Sequence, residues 1–119
     1  MKTLLWISLV ALPAFAATMN CSYVMSTATT TTALREISSE VGPGKPSELV
    51  IENADYPGVK LTARYSERLK TVDTEISDSR IGIKATGLDF FNPDVREAGS
   101  AVSYKKQDGE YYMLSCAIH

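Results

Sequence analysis

The strongest constraint on the fold of this 119-residue chain is an alternation of apolar and polar residues with a period of two. In the segment 59–66, apolar side chains occupy the odd positions and polar side chains dominate the even ones. The segment 80–86 shows the same alternation, with Ile81, Ile83 and Ala85 on its apolar side. Successive side chains of a β-strand point to opposite faces, so this period indicates strands with one buried and one solvated face. We therefore predict antiparallel β-structure rather than helices.

Turn sequences separate the alternating segments. Gly-Pro and Pro-Gly pairs within 42–46 and 55–58 are incompatible with a helix interior or a central strand. Asp108-Gly109 is typical of a two-residue turn with positive φ, and the apolar segment 110–118 follows it. The sequence thus predicts a closing β-hairpin whose last strand, apolar on both faces, is central or covered.

One segment, 33–41, fits two patterns. Leu34, Ile37 and Val41 have the spacing of one helical face, whereas Ile37, Ser39 and Val41 have the spacing of one strand face. The segment is too short for its pattern to decide between helix and strand. The strands predicted on either side of it favour a strand.

Together these patterns predict one all-β domain, a small antiparallel β-sandwich or barrel of six to eight strands closed by one terminal disulfide. The segment 88–97, which contains Phe90 and Phe91, is predicted as a loop between strand pairs. The predicted core consists of inward-facing residues of the strands: Tyr23, Ile51, Leu61, Ala63, Ile81, Ile83, Val102, Tyr104, Tyr112 and Leu114.

The N-terminal region is typical of a secretory signal peptide. Lys2 precedes the apolar run 4–12, and small residues follow it. The run is shorter than the roughly 20 residues that span a bilayer. We predict a signal peptide at 1–16 and a single exported β domain at 17–119, secreted or periplasmic, with no transmembrane segment after cleavage. The formal net charge of −2 and the lack of a basic stripe argue against nucleic-acid binding.

Cys21 and Cys116 are the two cysteines of the chain, so only one intramolecular pairing exists. In an oxidising compartment such a pair is normally a disulfide. A redox role lacks the C-x-x-C spacing, and lipidation of Cys21 would need small residues where Met19 and Asn20 stand. We predict a structural disulfide that removes on the order of 4–5 kcal/mol of chain entropy from the unfolded state.

Few groups are suited to catalysis. The single histidine, His119, is the terminal residue, where chains fray, so neither a nucleophilic triad nor a His-based zinc site is expected. Asp73, Glu75 and Asp78 form an acidic cluster that could serve a hydrolase. However, Asp73 and Glu75 would share the solvated face of a strand. We predict no catalytic residue, no cofactor and no enzymatic activity, with a small carboxylate-dependent hydrolase as an alternative.

Calcium binding is a weaker candidate. Asp89, Asn92, Asp94 and Glu97 could offer oxygen ligands from one loop, but the Gly-spaced pattern of an EF-hand is missing. We therefore predict no metal site.

Two aromatic pairs, Phe90-Phe91 and Tyr111-Tyr112, are candidates for a binding surface, because exposed apolar patches often mark interaction sites. The alternation favours a structural role instead, with one member of each pair in the core and its neighbour partly covered.

The closing stretch 98–104, followed by 108–111, resembles the C-terminal hairpin of periplasmic inhibitors of C-type lysozymes over less than a fifth of the chain. The resemblance implies an alternative function, inhibition of a foreign enzyme such as lysozyme. The main prediction is an exported domain with a non-enzymatic binding or structural role in the cell envelope or outside the cell. A protein is the candidate partner.

Overall fold

The structure is a computed structural model that describes residues 17–42, 44–45, 47–90, 97–106 and 109–119. Within these ranges the regular elements are strands, and no helix is long and apolar enough to cross a bilayer. The eight strands are β1 (Ala17–Ser26), β2 (Thr31–Val41), β3 (Glu48–Ile51), β4 (Val59–Ser66), β5 (Thr71–Asp78), β6 (Ile83–Phe90), β7 (Ala98–Lys105) and β8 (Tyr111–Ile118).

The strands form two antiparallel sheets of four strands each. Sheet A has the order β2-β1-β8-β7, and sheet B has the order β3-β4-β5-β6. Facing side chains of the two sheets form the core, as in a β-sandwich. This confirms the predicted all-β class and strand number. It also confirms the strand interpretation of 33–41, which lies within β2.

The two ends of the described domain are neighbours in sheet A. β1 and β8 pair over eight residues, from Met19 opposite Ile118 to Ser26 opposite Tyr111. β8 is therefore a central strand between β1 and β7, as its two apolar faces predicted.

The closing hairpin of β7 and β8 is also confirmed. The backbone N–H of Lys106 donates to the carbonyl of Glu110 at 2.8 Å, and Gly109 has a φ of 94°. The connection is thus one residue longer than the predicted two-residue turn. Asp108 lies outside the described residues.

Most of the predicted core is confirmed. Six of the ten predicted residues are buried: Ile51, Leu61, Ala63, Val102, Tyr112 and Leu114. Tyr23 and Tyr104 are partly buried and pack against this cluster. The Tyr104 ring stacks on that of Tyr112 with centroids 6.2 Å apart.

The prediction that Ile81 and Ile83 lie in the core was wrong, since their side chains are 47% and 40% exposed. Ile81 precedes β6 in a turn, and Ile83 is the first residue of that strand. The small residues Ala85 and Gly87 follow Ile83 at alternate positions and are partly buried. At this edge the strand thus uses small side chains, and its first isoleucine extends past the packed region.

The segment 88–90 was predicted as a loop but continues β6. Phe90 pairs with Thr71 at the end of the β5–β6 ladder, so the strand runs to the last residue described before 97. Here the usual alternation is reversed, because the polar residue Asp89 is partly buried whereas the apolar residues Leu88 and Phe90 are exposed. The sequence pattern therefore did not indicate a strand.

Tyr56 was missed as a core residue. It lies in the predicted Pro-Gly turn, yet its side chain is only 1% exposed and its ring packs edge-to-face on Tyr112 with centroids 6.2 Å apart. The Thr32 hydroxyl donates a hydrogen bond to the Tyr56 hydroxyl at 3.1 Å. The turn therefore closes the core beneath β2.

Candidate functional site

The disulfide joins Cys21 of β1 to Cys116 of β8, and the two residues lie directly opposite each other in the ladder. Their Cα atoms are 4.0 Å apart, and both side chains are almost completely buried. The bond therefore links neighbouring strands on the inner face of sheet A. Its burial in the core fits a structural role, and its presence fits an oxidising compartment.

The acidic cluster of β5 does not form one site. Asp73 and Glu75 lie on the outer face of sheet B, whereas Asp78 is buried on the opposite side. The alternation of the strand explains this division, because odd and even positions point to opposite faces. The three carboxylates therefore do not converge.

Asp78 belongs to a charged network at the end of β5. The Arg80 guanidinium donates two hydrogen bonds to the Asp78 carboxylate, from Nε to Oδ1 at 2.9 Å and from Nη2 to Oδ2 at 2.8 Å. Nη2 of Arg80 also donates to Glu110 Oε1 at 2.8 Å, and Lys106 Nζ lies 3.0 Å from Glu110 Oε2. The Tyr112 hydroxyl donates to the same Glu110 carboxylate. Arg80 thus links the end of β5 in sheet B to the β7–β8 hairpin through hydrogen bonds.

This network holds its groups in fixed charge states. The hydrogen bonds from Arg80 lower the pKa of Asp78, against the opposing effect of burial. Burial, followed by the hydrogen bond to Glu110, raises the pKa of Tyr112. A general acid needs a carboxyl with a raised pKa, which is opposite to the direction at Asp78. The network is suited to stabilising the fold.

A row of four side chains crosses the outer face of sheet B. The register places Glu48, Arg64, Asp73 and Leu88 side by side on β3, β4, β5 and β6. Arg64 Nε donates to Glu48 at 2.9 Å, and its Nη1 lies 3.7 Å from Asp73 and 3.6 Å from Glu75. These carboxylates, Glu48 first, raise the pKa of Arg64. The single guanidinium of Arg64 therefore lies near three carboxylates. The Oδ1 atom of Asp73 is buried and has no hydrogen-bond partner.

Beside this row lies a solvent-open groove of about 800 Å³, which we call the outer groove. Three large apolar side chains line it, Leu69, Leu88 and Phe90, and they are 53%, 61% and 66% exposed. Arg64 and Asp73 of the charged row form part of its wall. An exposed apolar cluster rimmed by charges is typical of an interaction surface.

The turn between β4 and β5 is held in place at one end of the groove. The Tyr65 hydroxyl donates to Glu67 at 2.9 Å, and Lys70 forms an ion pair with the same carboxylate. Lys70 adopts a positive φ of 55°, which is uncommon for a residue with a side chain. Leu69 therefore projects from an ordered turn.

The two predicted aromatic pairs behave differently. Tyr112 is fully buried and Tyr111 is 36% exposed, as the structural interpretation predicted. Phe90 is 66% exposed and is neither a core residue nor a covered one. Phe91 lies outside the described residues. Leu88 and Phe90 occupy even-numbered positions of β6, as do the polar residues Lys84 and Thr86. The sequence alone could therefore have indicated that these two apolar side chains lie on the solvated face.

The candidate calcium ligands lie only partly within the described residues. Asp89 Oδ2 accepts a hydrogen bond from the backbone N–H of Gly99 at 2.9 Å. Glu97 is described, whereas Asn92 and Asp94 lie outside the described residues. No group of three or more potential metal ligands occurs within the described ranges. His119 is exposed, and its backbone pairs with Thr18.

By class, the molecule is a disulfide-closed antiparallel β domain with an exposed apolar groove on one sheet. Comparison with protein-family models, curated proteins and solved structures finds no match.

Proposed function

We propose that this chain is an exported, non-enzymatic binding domain, secreted or periplasmic, whose outer groove binds a protein partner. The buried disulfide supports export, because such bonds form and persist in oxidising compartments. The signal-peptide pattern at 1–16 agrees with the same location.

The observation that carries the proposal is the exposure of Leu69, Leu88 and Phe90 in one groove. Exposing three large apolar side chains together is unfavourable in water, at roughly 25 cal/mol for each Å² of apolar surface. A protein partner would cover this surface. The groove would form the apolar centre of the interface, and the charged side chains Glu48, Arg64 and Asp73 would form its rim.

The arrangement of carboxylates favours binding over hydrolysis. A glycosidase-type mechanism needs two carboxyl groups that face one substrate. Here Asp73 and Glu75 are held by Arg64 on the outer face, and Asp78 is bound by Arg80 on the other. Asp73 and Glu75 are the pair that shares a face, and both are ion-paired with one guanidinium, which favours the binding proposal over the hydrolase alternative.

The test immobilises the oxidised mature domain and measures saturable binding of proteins from the compartment in which it is produced. C-type lysozyme is included as a defined candidate. The Phe90→Ser and Leu88→Ser variants should each weaken binding of the recovered protein by about tenfold, which corresponds to about 1.4 kcal/mol. Ile81→Ser is the matched control, because Ile81 is also exposed but lies in a turn outside the groove.

Equal binding by Phe90→Ser and Ile81→Ser would reject the groove as the interface. Turnover of a polysaccharide or peptide that disappears in Asp73→Asn or Glu75→Gln would replace the binding proposal with the hydrolase alternative. Circular dichroism of each variant establishes that the sheet is intact before binding is compared.

A further inference from the structure

A second surface of the molecule is the outer edge of β2. β2 has 11 residues and pairs with β1 on one side, and among the described residues no strand pairs with its other edge. An edge strand presents a row of backbone N–H and C=O groups that can pair with another extended chain. β2 contains neither proline nor lysine, but it carries Arg35 on its inner side, Glu36 and Glu40 on its outer side, and a register shift beside Tyr23. Such features restrict pairing to a strand of complementary charge.

The inner side of β2 is incompletely covered. Ile37 lies opposite Cys21 in the β1–β2 ladder, so both side chains point towards the core. Cys21 is 1% exposed, whereas Ile37 is 38% exposed. β3, the edge strand of sheet B, has only four residues. A strand added beside β2 would therefore place apolar side chains next to Ile37, where water now contacts the core.

The outer side of β2 carries negative charge. Glu36 and Glu40 lie opposite Ser22 and Thr18 of β1 and are exposed. Glu40 also lies 3.4 Å from Lys45, in an exposed pair that contributes little. A strand beside β2 would meet these two carboxylates four residues apart on one face, with Ser38 between them, because directly opposite residues share one face of a sheet.

Pairing of two β2 strands gives these carboxylates no cation. An antiparallel pair centred on Glu36 or on Ser38 places carboxylates opposite each other, and one centred on Ile37 places Glu36 opposite Ser38. Like charges directly across a ladder are destabilising. Charge complementarity therefore points to a different chain with basic side chains on this face.

We propose that the outer edge of β2 binds an extended segment of another protein by strand addition, and that this segment alternates basic and apolar residues. Its basic side chains lie on the face of Glu36 and Glu40, and its apolar side chains lie on the face of Ile37. Main-chain hydrogen bonds supply affinity, and the two faces supply selectivity. This surface is separate from the outer groove, so either proposal can fail without the other.

The probe is a nine-residue peptide of alternating lysine and valine with blocked ends. We expect saturable binding to the oxidised domain, with slowed amide hydrogen exchange confined to β2 (Thr31–Val41). Two isomers of the peptide carry N-methyl groups, one on the odd-numbered amides and the other on the even-numbered amides. Each isomer therefore has one edge that cannot donate hydrogen bonds, and the blocked edge differs between the two. Strand addition uses a single edge, so one isomer should lose binding and the other should keep it.

Charge reversal tests selectivity. A double variant, Glu36→Lys with Glu40→Lys, should bind the lysine–valine peptide about tenfold more weakly and accept a glutamate–valine peptide instead. Glu52→Lys is the control, because Glu52 is exposed outside β2 and should leave both affinities unchanged.

Three results would overturn the proposal: equal binding of the two N-methylated isomers, protection that maps outside β2, or an unchanged preference in the double variant. Self-association of the domain that is abolished by the double variant would assign the edge to a second copy instead.

Discussion

Gly87 of β6 lies so close to Ala101 of β7 that a Cβ atom at position 87 would be 2.5 Å from the Ala101 carbonyl oxygen. The same Cβ would lie 3.0 Å from the hydroxyl oxygens of both Ser100 and Thr74. Backbone cannot move aside as a flexible side chain can. The absence of a side chain at Gly87 therefore permits the last strands of the two sheets to approach each other.

The Gly87→Ala substitution should lower the free energy of unfolding by about 1–3 kcal/mol, because the added methyl group forces β6 and β7 apart. The measurement is equilibrium denaturation in urea. Gly99→Ala is the matched control, because the nearest atom to a Cβ there is 3.7 Å away. Equal midpoints for the two variants would contradict the proposed contact.

The regular elements of this fold could be predicted because they follow the period-two pattern. The strand 59–66, the β7–β8 hairpin and the disulfide were all visible in the residues alone. Ile81 and Ile83 show the limit of that pattern. Alternation identifies the side of a strand but not how far the opposite sheet extends over it. The pattern therefore placed in the core one apolar residue of a turn, Ile81, and the first residue of β6, Ile83.

The sequence hints that Leu88 and Phe90 are exposed, but it locates neither the outer groove as a whole nor the buried Tyr56, for a related reason. Leu69, Leu88 and Phe90 come from a turn and from β6, and only the pairing of β4 with β5 and β5 with β6 brings them together. Tyr56 lies in a turn, where sequence patterns carry no information about burial. Both features depend on contacts between segments that are remote in sequence.

Removal of the disulfide in the double variant Cys21→Ala with Cys116→Ala should lower the free energy of unfolding by about 4 kcal/mol. The bond connects residues separated by 95 positions, so its loss frees nearly the whole described chain in the unfolded state. The measurement compares denaturation midpoints of the wild type and the variant, each with and without reductant.

Reductant should destabilise the wild type and leave the cysteine-free variant unchanged. Detection of two unmodified thiols in the protein isolated under non-reducing conditions would contradict the bond itself.

The hydroxyls of Thr74 and Ser100 form a buried hydrogen bond of 2.9 Å between the two sheets. Thr74→Val alone or Ser100→Ala alone should cost about 1–2 kcal/mol, because each leaves a buried polar group without its partner. The double variant should cost less than the sum of the two. A double-mutant cycle from urea denaturation measures this coupling, and strict additivity would show that the contact contributes nothing.

Acid should weaken the junction that Asp78 forms with Arg80. The hydrogen bonds from Arg80 lower the pKa of Asp78 in the folded state below its ordinary value of 3.8. As the pH falls, the unfolded chain therefore takes up this proton first. The stabilisation is complete above the unfolded pKa and is lost as the pH drops through the lower folded pKa.

Asp78→Asn should consequently be less stable than the wild type at pH 7, by about 2 kcal/mol, because the partly exposed Arg80 loses its charged hydrogen-bond partner. The deficit should shrink as the pH falls below about 4, because the unfolded wild-type chain then begins to take up a proton that the folded chain does not yet bind. The measurement is the free energy of unfolding in urea at a series of pH values. Asp55→Asn, at an exposed turn position, should follow the wild-type profile. Glu110 is present in all three proteins, so its own titration affects them equally. A constant deficit for Asp78→Asn down to pH 2 would show that the Asp78 charge does not stabilise the fold.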